Sequence, residues 1–376
     1  MSNISRIVLI GNANSTFIKG YIKYVLIKFN CSITLITETN TLFKDFYLQY
    51  GVNVIVIRDD SIIEKIKGLR TVRYILKVCK TLRNVKCDLI IVHSAWCYLL
   101  YVLPYLELQS KLVLTFWGSD LLRTPKKRLL LAKKAIMISD RIVVLTKEMY
   151  VAFLKIFGQE FSNKIEIIDF GVSVFDIIDS IENSNFSKKE FLGVECEKGL
   201  VITVGYNASE QQQHIKVTKE LSKIDKNIKK NIFILYPMTY PEVRNHYREE
   251  VAQVAHNNCF KFLILKDYLD EFNIAKLCCV TDIFIHAQTT DALSTSMLEQ
   301  IYSGSIVLNG QWLKYDFLDQ IGVKFERFKM NELADMVEDI ITKEHAVDKV
   351  HNKKVLKENC SWDKCFLLWK KLFDSL

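Results

Sequence analysis

Two carboxylates lie eight positions apart in the second half of the chain, on either side of a run of hydroxyl side chains. Asp291 precedes this run and Glu299 follows it. The apolar residues 282–286 predict a strand before the run, and the pattern after residue 292 predicts a helix. A helix that follows a parallel strand offers free backbone amides and a positive dipole end to an anion. The segment therefore predicts a diphosphate site flanked by two acids.

A glycine turn precedes this region. Gly205 follows the predicted strand 199–204, and glycine there allows the backbone to approach a phosphate closely. The turn is followed by Gln211-Gln212-Gln213-His214. His214 either acts on the phosphate, as a cation or as a hydrogen-bond donor, or is an ordinary histidine on a helix surface.

The first half of the chain has polar residues where predicted strands end. Gly11 and Asn12 follow the strand 6–10, and His93 ends the strand 88–93. Trp117-Gly118-Ser119-Asp120 follows the strand 111–116. Asp120 is either a carboxylate that orients or deprotonates a hydroxyl group, or the cap of the helix that follows. His93 is a second candidate for that catalytic role.

Short apolar runs alternate with helical patterns along both halves, which is typical of parallel sheets buried on both faces. The runs in the first half are 6–10, 32–37, 52–57, 88–93, 111–116, 141–145 and 165–170. Those in the second half are 199–204, 231–236, 261–265, 282–286 and 305–308. With 376 residues, the chain is expected to form two doubly wound domains. The expected domains are 1–180 and 199–360, with a helix at 361–376 that returns to the first domain or packs on a core.

The net charge of +8 is unevenly distributed, because residues 1–180 carry 25 Lys and Arg against 15 Asp and Glu. This excess indicates an anionic partner for the first domain. Two stretches are strongly basic, residues 65–86 and residues 123–134, and both are interleaved with aliphatic residues. Such stretches fit docking on an anionic membrane surface, although a solvated helix face has the same pattern. Nucleic acid is disfavoured because aromatic residues are rare among the basic ones.

The longest apolar runs are too short for a transmembrane helix, and the N-terminus enters a strand pattern without a leader. The spacing of the ten cysteines favours neither disulfides nor a metal site. We therefore expect a cytoplasmic protein, peripheral on the inner face of the membrane, without metal or cofactor.

The strand, loop and helix around the two acids resemble those of family 4 glycosyltransferases, where two Glu residues separated by seven positions occupy this place. The resemblance implies that Glu299 bonds the ribose hydroxyls of a nucleotide sugar. It implies that Asp291 and the amides of Leu293 and Ser294 hold the transferred sugar. The amides of Thr295 and Ser296 would bind the diphosphate. A further resemblance, at residues 261–287, implies that Lys266, Tyr268 and Leu269 surround the base, although Tyr268 fits a surface aromatic residue equally well.

The first domain resembles the same family at Trp117-Gly118-Ser119-Asp120, which implies that Asp120 orients or deprotonates the acceptor hydroxyl. The loop at Gly11 and Asn12 would approach the donor diphosphate. Two departures are evident. Asp291 replaces the first Glu, and the usual Arg after the glycine turn is missing. In the latter respect the chain looks more like the Fuc4NAc transferase of enterobacterial antigen synthesis, which has an Asn/His segment there.

The resemblance implies the GT-B fold, with two Rossmann-like domains facing across a cleft. It implies transfer of a sugar from a nucleotide-diphosphate donor to a lipid-linked saccharide acceptor in bacterial surface polysaccharide synthesis, such as O-antigen or capsule assembly. The two-acid motif favours retention of configuration and a metal-independent reaction. Two alternatives remain. One is a sugar-nucleotide epimerase of the same fold, and the other is a basic protein that binds membrane or nucleic acid without catalysis.

Overall fold

The computed structural model describes residues 4–58, 69–94, 97–184, 186–193, 199–241, 246–343 and 347–376. The chain divides into two compact units. The first consists of Met1–Gly171 and Cys360–Leu376, and the second is Val172–Asn359. Lys65 and Lys67 of the first basic stretch lie outside the described residues.

The first unit contains a parallel sheet in the order β3-β2-β1-β4-β5-β6-β7. Its central strands are continuous apolar runs, and all five residues of β4 are buried, as a sheet covered on both faces requires. The chain order reverses between β1 and β4, which places the carboxyl ends of these two strands beside a crevice. The strands are β1 Arg6–Ile10, β2 Ser32–Thr37, β3 Asn53–Val56, β4 Leu89–His93, β5 Lys111–Thr115, β6 Arg141–Val144 and β7 Ile165–Ile167.

Helices cover this sheet, and the C-terminal helix is one of them. Gly20 and Gly171 approach the indole of Trp362 so closely that a Cβ on either would lie within 2.5 Å of it. The buried residues Trp369 and Phe373 continue this packing into the core of the unit. The helices of the first unit are α1 Thr16–Tyr24, α2 Lys44–Gln49, α3 Leu69–Asn84, α4 Cys97–Val102, α5 Ser119–Leu122, α6 Lys126–Leu131, α7 Lys133–Ile138, α8 Lys147–Phe157 and α19 Trp362–Asp374, with 3-10 turns at Leu26–Phe29, Leu103–Tyr105 and Gln159–Lys164.

The second unit contains a parallel sheet in the order β10-β9-β8-β11-β12-β13, which reverses between β8 and β11. Its last strand was not predicted from the sequence, because only Phe328 of its three residues is buried and the segment has no apolar run. The strands are β8 Leu200–Val204, β9 Ile232–Pro237, β10 Lys261–Leu265, β11 Ile283–His286, β12 Ile306–Gly310 and β13 Glu326–Phe328.

The helices of the second unit begin earlier than the predicted domain boundary. The ring of Phe175 stacks on that of Tyr302 with centroids 4.0 Å apart, and Asp179 accepts a hydrogen bond from Lys353 at 2.8 Å. Residues 172–180, which the sequence placed in the first domain, therefore pack with the second unit. Its helices are α9 Phe175–Glu182, α10 Lys188–Leu192, α11 His214–Leu221, α12 Lys226–Lys229, α13 Tyr247–Asn257, α14 Glu271–Val280, α15 Thr295–Ser303, α16 Asp316–Gln320, α17 Leu333–Thr342 and α18 Lys349–Asn359, with 3-10 turns at Glu210–Gln212 and Met330–Glu332.

Membrane spans and metal sites were sought in the described part of the chain. Within these ranges, no helix has the length and hydrophobicity needed to cross a bilayer. The same residues contain no group of three or more His, Cys, Asp or Glu side chains arranged to hold a metal ion.

Candidate functional site

The helix α15 begins at the carboxyl edge of the second sheet, directly after β11. Ser294 is its N-cap, and the hydroxyl accepts a hydrogen bond from the amide of Met297 at 3.2 Å. The amides of Thr295 and Ser296 lie in the first turn, where helix geometry provides no intrahelical acceptor. Both residues are partly exposed. The helix start therefore offers amides and a positive dipole end to an anion.

Glu299 lies on α15 and is 7% exposed. Its carboxylate has no hydrogen-bond donor or cation among the described residues. Burial, and secondarily the charge of Glu271, raises the pKa of Glu299 from 4.5 to about 8. A buried carboxylate without a partner is costly, and it is suited to a ligand that brings hydroxyl donors.

Asp291 lies in the loop between β11 and α15. One carboxylate oxygen accepts from the amide of Ala292 at 2.8 Å, and the other lies 3.3 Å from the hydroxyl of Tyr206. The same oxygen is 3.5 Å from Nε2 of His286. Tyr206 belongs to the turn after β8, so the structure brings Asp291 to the junction of β8 and β11, where the strand order reverses.

Gly205 begins the turn after β8 and has a φ of 65°, in the left-handed region. A Cβ there would lie 2.9 Å from Oε1 of Gln212 and 3.0 Å from Nε2 of His214. Glycine is thus required both by the backbone and by the two side chains packed against it.

His214 is fully buried, and its Nδ1 is 3.1 Å from the hydroxyl of Tyr247. Burial lowers its pKa from 6.5 to about 4, so the imidazole is uncharged at neutral pH. The burial of His214 contradicts its placement on a helix surface, and its lowered pKa argues against a cationic role in the ligand-free protein. Its Nε2 has no hydrogen-bond partner among the described residues and adjoins Gly205, which leaves the hydrogen-bonding role open.

The predicted base-binding residues follow β10, an edge strand of the second sheet. Lys266 and Tyr268 are exposed, and Leu269 is half-buried against the core. The next helix, α14, begins at Glu271, whose charge acts on Glu299. The structure therefore places this loop near the α15 carboxylate, and base contacts by Lys266, Tyr268 and Leu269 stay a prediction.

In the first unit, the carboxyl ends of β1 and β4 form a cleft of about 410 Å³. Gly11, Asn12 and His93, which the sequence singled out, all line it. A Cβ on Gly11 would meet the Ile18 side chain at 2.9 Å, so the backbone approaches its neighbours closely here. The other lining residues are Ile10, Glu38, Thr39, Tyr74, Val92, Ser94 and Leu99.

The side chain of His93 is hydrogen-bonded to Trp117, which lies in the loop that Asp120 holds in place. Nδ1 of His93 accepts from the indole N–H of Trp117 at 3.1 Å, and complete burial lowers the His93 pKa to about 3. The Asp120 carboxylate accepts from the amides of Trp117 and Gly118, each at 2.9 Å. Asp120 is the second residue of α5 rather than its N-cap, which is Gly118. It therefore fixes the loop that carries Trp117.

This geometry argues against His93 as a general base. Its Nδ1 lone pair is used by Trp117, so in the neutral ring Nε2 carries the proton. Such an imidazole can donate a hydrogen bond from Nε2, but it has no unused lone pair with which to accept a proton from a substrate.

Several residues of the second site were not identified from the sequence. They are His286, Tyr206, Asn309, Tyr240 and Trp312. The charge of both predicted acids, Glu299 foremost, acts on Tyr240, and the indole N–H of Trp312 donates to the carbonyl of Gln288 at 2.8 Å. His286 could have been identified from the sequence, because it is a polar residue at the end of an otherwise apolar strand, after Ile-Phe-Ile.

The comparisons with known proteins point to one class of fold. Residues 6–145 match the family model for glycosyl transferase 4-like domains. Alr3699/HepE of Anabaena, solved with UDP and glucose, superposes with a TM-score of 0.74 at 15% identity, over 99% of this chain and 100% of that chain. Sucrose-phosphate synthase of Thermosynechococcus elongatus gives 0.73 at 10% identity, over 99% and 100%.

A putative UDP-N-acetylglucosamine 2-epimerase of Listeria monocytogenes superposes with a TM-score of 0.61 at 11% identity, over 98% of this chain and 94% of that chain. No curated protein sequence gives a significant match. At these identities the structural likeness shows the fold alone, and the family match lies within the first unit. The chain therefore has the two-domain GT-B fold, and its residues 6–145 are similar to the glycosyl transferase 4-like family model.

Proposed function

We propose that the protein transfers a sugar from a nucleoside-diphosphate donor to a saccharide acceptor. The observation that carries this proposal is Glu299, a buried carboxylate with no partner among the described residues, one turn inside a helix whose N-terminus offers amides to an anion. Two ribose hydroxyls would supply the missing donors, and the diphosphate would bind at Thr295 and Ser296. The resemblance to family 4 glycosyltransferases supports the same assignment.

In this proposal the bond between the anomeric carbon and the diphosphate breaks, and a bond from the acceptor oxygen to that carbon forms. The amides of the α15 start stabilise the charge that develops on the leaving diphosphate. Asp291 contacts the transferred sugar. The proton of the acceptor hydroxyl passes to the leaving phosphate oxygen, which fits retention of configuration and needs no protein base at His93.

We assign the acceptor saccharide to the cleft of the first unit. Among its described lining residues, Glu38 is the one charged side chain, and it is paired with Arg58 at 3.1 Å. The remaining lining is neutral, with Asn12, Thr39 and Ser94 able to bond hydroxyl groups. A neutral sugar therefore fits the cleft better than a phosphate. The lipid-linked form of the acceptor, and a role in bacterial surface polysaccharide synthesis, rest on the family resemblance.

The helices α6 and α7 support a peripheral membrane location. They carry exposed aliphatic residues beside exposed basic ones, the combination that binds anionic lipid surfaces. The exposed apolar residues are Leu130, Leu131, Met137 and Ile138, and the exposed basic residues are Lys126, Lys127, Arg128 and Lys134. Lys133 is instead paired with Glu160 at 3.1 Å.

A sugar-nucleotide epimerase is the rival activity, because a putative epimerase shares the fold. The two activities separate in one assay. The protein is incubated with a panel of nucleotide sugars, with and without a membrane extract that contains lipid-linked saccharides. Transfer predicts release of nucleoside diphosphate and labelled glycolipid only when acceptor is present. Epimerised sugar formed without acceptor would establish the rival activity.

A further inference from the structure

The imidazole of His286 ends β11 and is completely buried. The two-acid motif assigns no role to this residue. Its ring lies 5.9 Å, between centroids, from those of Tyr206 and Tyr315, and it faces the loop that carries Asp291. A polar ring held in an apolar strand end requires a reason, because an aliphatic residue would fill the space without a desolvation cost.

Asn309 fixes the proton on one side of this ring. His286 and Asn309 are neighbours in the parallel register of β11 and β12. The Asn309 amide nitrogen donates to the carbonyls of Gly310 at 3.1 Å and Leu313 at 3.0 Å. Its oxygen is therefore the atom that faces Nδ1 of His286, 3.0 Å away. An oxygen accepts, so Nδ1 must carry a proton.

The opposite nitrogen of the ring faces the Asp291 carboxylate. Nε2 lies 3.5 Å from Oδ2 and does not yet have hydrogen-bond geometry to any described residue. With Nδ1 already protonated, the approach of Nε2 to a carboxylate is favourable only when a proton lies between the two atoms. Hydrogen bonds of this kind are often long without substrate and shorten when it binds.

We propose that His286, held by Asn309, is a positioning residue that directs the Asp291 carboxylate toward the transferred sugar. Asp291 has a short side chain on a loop. Its other neighbours are the adjoining amide of Ala292, the Tyr206 hydroxyl and the buried Tyr315, on which its charge acts. The Asn309–His286–Asp291 series links this loop to the buried strand β12, which provides a rigid support. The inference rests on the proposed function and deepens it at the sugar site.

The test is a double-mutant cycle on transfer, with His286→Gln, Asp291→Asn and the double variant. We expect His286→Gln to lower kcat by about tenfold to 100-fold, the usual effect of a small misplacement of a reacting group. Affinity for UDP, which lacks the sugar, should be retained, and this also shows that the variant is folded. In the Asp291→Asn background, the same His286 substitution should change kcat by less than about twofold.

Two outcomes would overturn the inference. One is an equal fold-loss from His286→Gln in both backgrounds, and the other is a loss of UDP affinity as large as the loss of kcat. If His286→Gln does not fold, nitrogen NMR of the otherwise native protein with isotope-labelled histidine replaces the cycle. It should show Nδ1 of His286 protonated and an Nε2 signal that changes in Asp291→Asn. An unchanged Nε2 signal would contradict the coupling.

Failure of the inference is distinguishable from failure of the proposed function. If the native protein transfers a sugar and the cycle is additive, only the role of His286 is wrong. If the native protein transfers no sugar from any nucleotide sugar in the panel, the proposed function itself fails, and the positioning role with it.

Discussion

The indole N–H of Trp117 donates to Nδ1 of His93 at 3.1 Å, so the histidine of the first-unit cleft presents a donor rather than a base. Asparagine can accept the same bond from Trp117 through its side-chain oxygen. We therefore expect His93→Asn to lower transfer by less than about tenfold, whereas loss of a general base costs about 10²–10⁴-fold. The measurement is kcat as a function of pH for both proteins. A drop beyond 100-fold, or the disappearance of an acidic limb, would restore His93 as the base.

The buried state of His93 also predicts a pH dependence of stability. Its pKa is lowered from 6.5 to about 3, so below pH 6.5 the unfolded chain binds a proton that the folded protein does not. The free energy of unfolding should therefore fall as the pH falls below 6.5. This decrease should be smaller in His93→Asn, as measured by urea unfolding at several pH values. Equal slopes for the two proteins would mean that His93 is not neutral and buried in solution.

The Asp120 carboxylate supports the loop at Trp117, because it accepts hydrogen bonds from the backbone amides of Trp117 and Gly118. One oxygen accepts from both amides, so asparagine at 120 can keep these bonds, whereas alanine leaves both amides without them. We expect Asp120→Asn to keep transfer within about tenfold, and Asp120→Ala to lose about 1–2 kcal/mol of stability. A stable Asp120→Asn variant with a loss of about 10²-fold or more would instead make Asp120 a catalytic residue.

Gly205 is required by sterics as well as by its backbone, and Gly193 is a matched control. Gly193 has a φ of 63° with open space around the position of a Cβ, whereas at Gly205 the Cβ would meet Gln212 and His214 within 3.0 Å. Gly193→Ala should cost about 1–2 kcal/mol from strain alone. Gly205→Ala should cost more and should also weaken UDP binding. Thermal unfolding measures the loss of stability in each variant, and calorimetry measures the affinity for UDP. Equal losses of stability would mean that the side chains of Gln212 and His214 move aside for a Cβ at position 205.

The exposed basic residues of α6 and α7 are expected to hold the protein on anionic vesicles. Replacing Lys126, Lys127, Arg128 and Lys134 by Gln should abolish cosedimentation, since each contributes about 1 kcal/mol near such a surface. UDP affinity should persist. The matched control replaces four exposed lysines of the second unit, Lys216, Lys219, Lys226 and Lys230. The same loss of binding in both variants would indicate general electrostatics rather than a docking face.

Much of the fold could be predicted because its strands are continuous apolar runs. The bounds of β1, β2 and β10 follow directly from such runs, whereas β13 has no run to reveal it. Asp291 and Glu299 were recognisable from their spacing. The support of Asp291 by His286 and Asn309 was not, because it depends on the register between β11 and β12. The neutrality of His214 was also hidden, since burial by Tyr236 and Tyr247 arises only in the folded unit.

The ribose assignment of Glu299 makes the donor site sensitive to pH. Burial raises its pKa to about 8, and hydroxyl donors would favour the ionised form and release a proton on binding. Affinity for UDP should therefore increase as the pH rises toward 8. Glu299→Gln should show no such increase. Glu271→Gln removes only the smaller cause of the raised pKa, so it should keep the increase and shift it to lower pH. Equal pH dependence in the native protein and Glu299→Gln would assign the proton to another group.

The proposed donor site is tested by comparing the affinities for UDP and 2′-deoxy-UDP by calorimetry, in the native protein and in Glu299→Gln. A hydrogen bond to a charged group contributes about 1.5–3 kcal/mol, which corresponds to roughly 10–100-fold in affinity. We predict that the native protein prefers UDP by this factor and that Glu299→Gln loses the preference while staying folded. If UDP does not bind, the ribose and 2′-deoxyribose forms of each other nucleoside diphosphate are compared in the same way. Equal binding of ribose and deoxyribose forms by the native protein, or no binding of any nucleoside diphosphate, would contradict the proposed donor site.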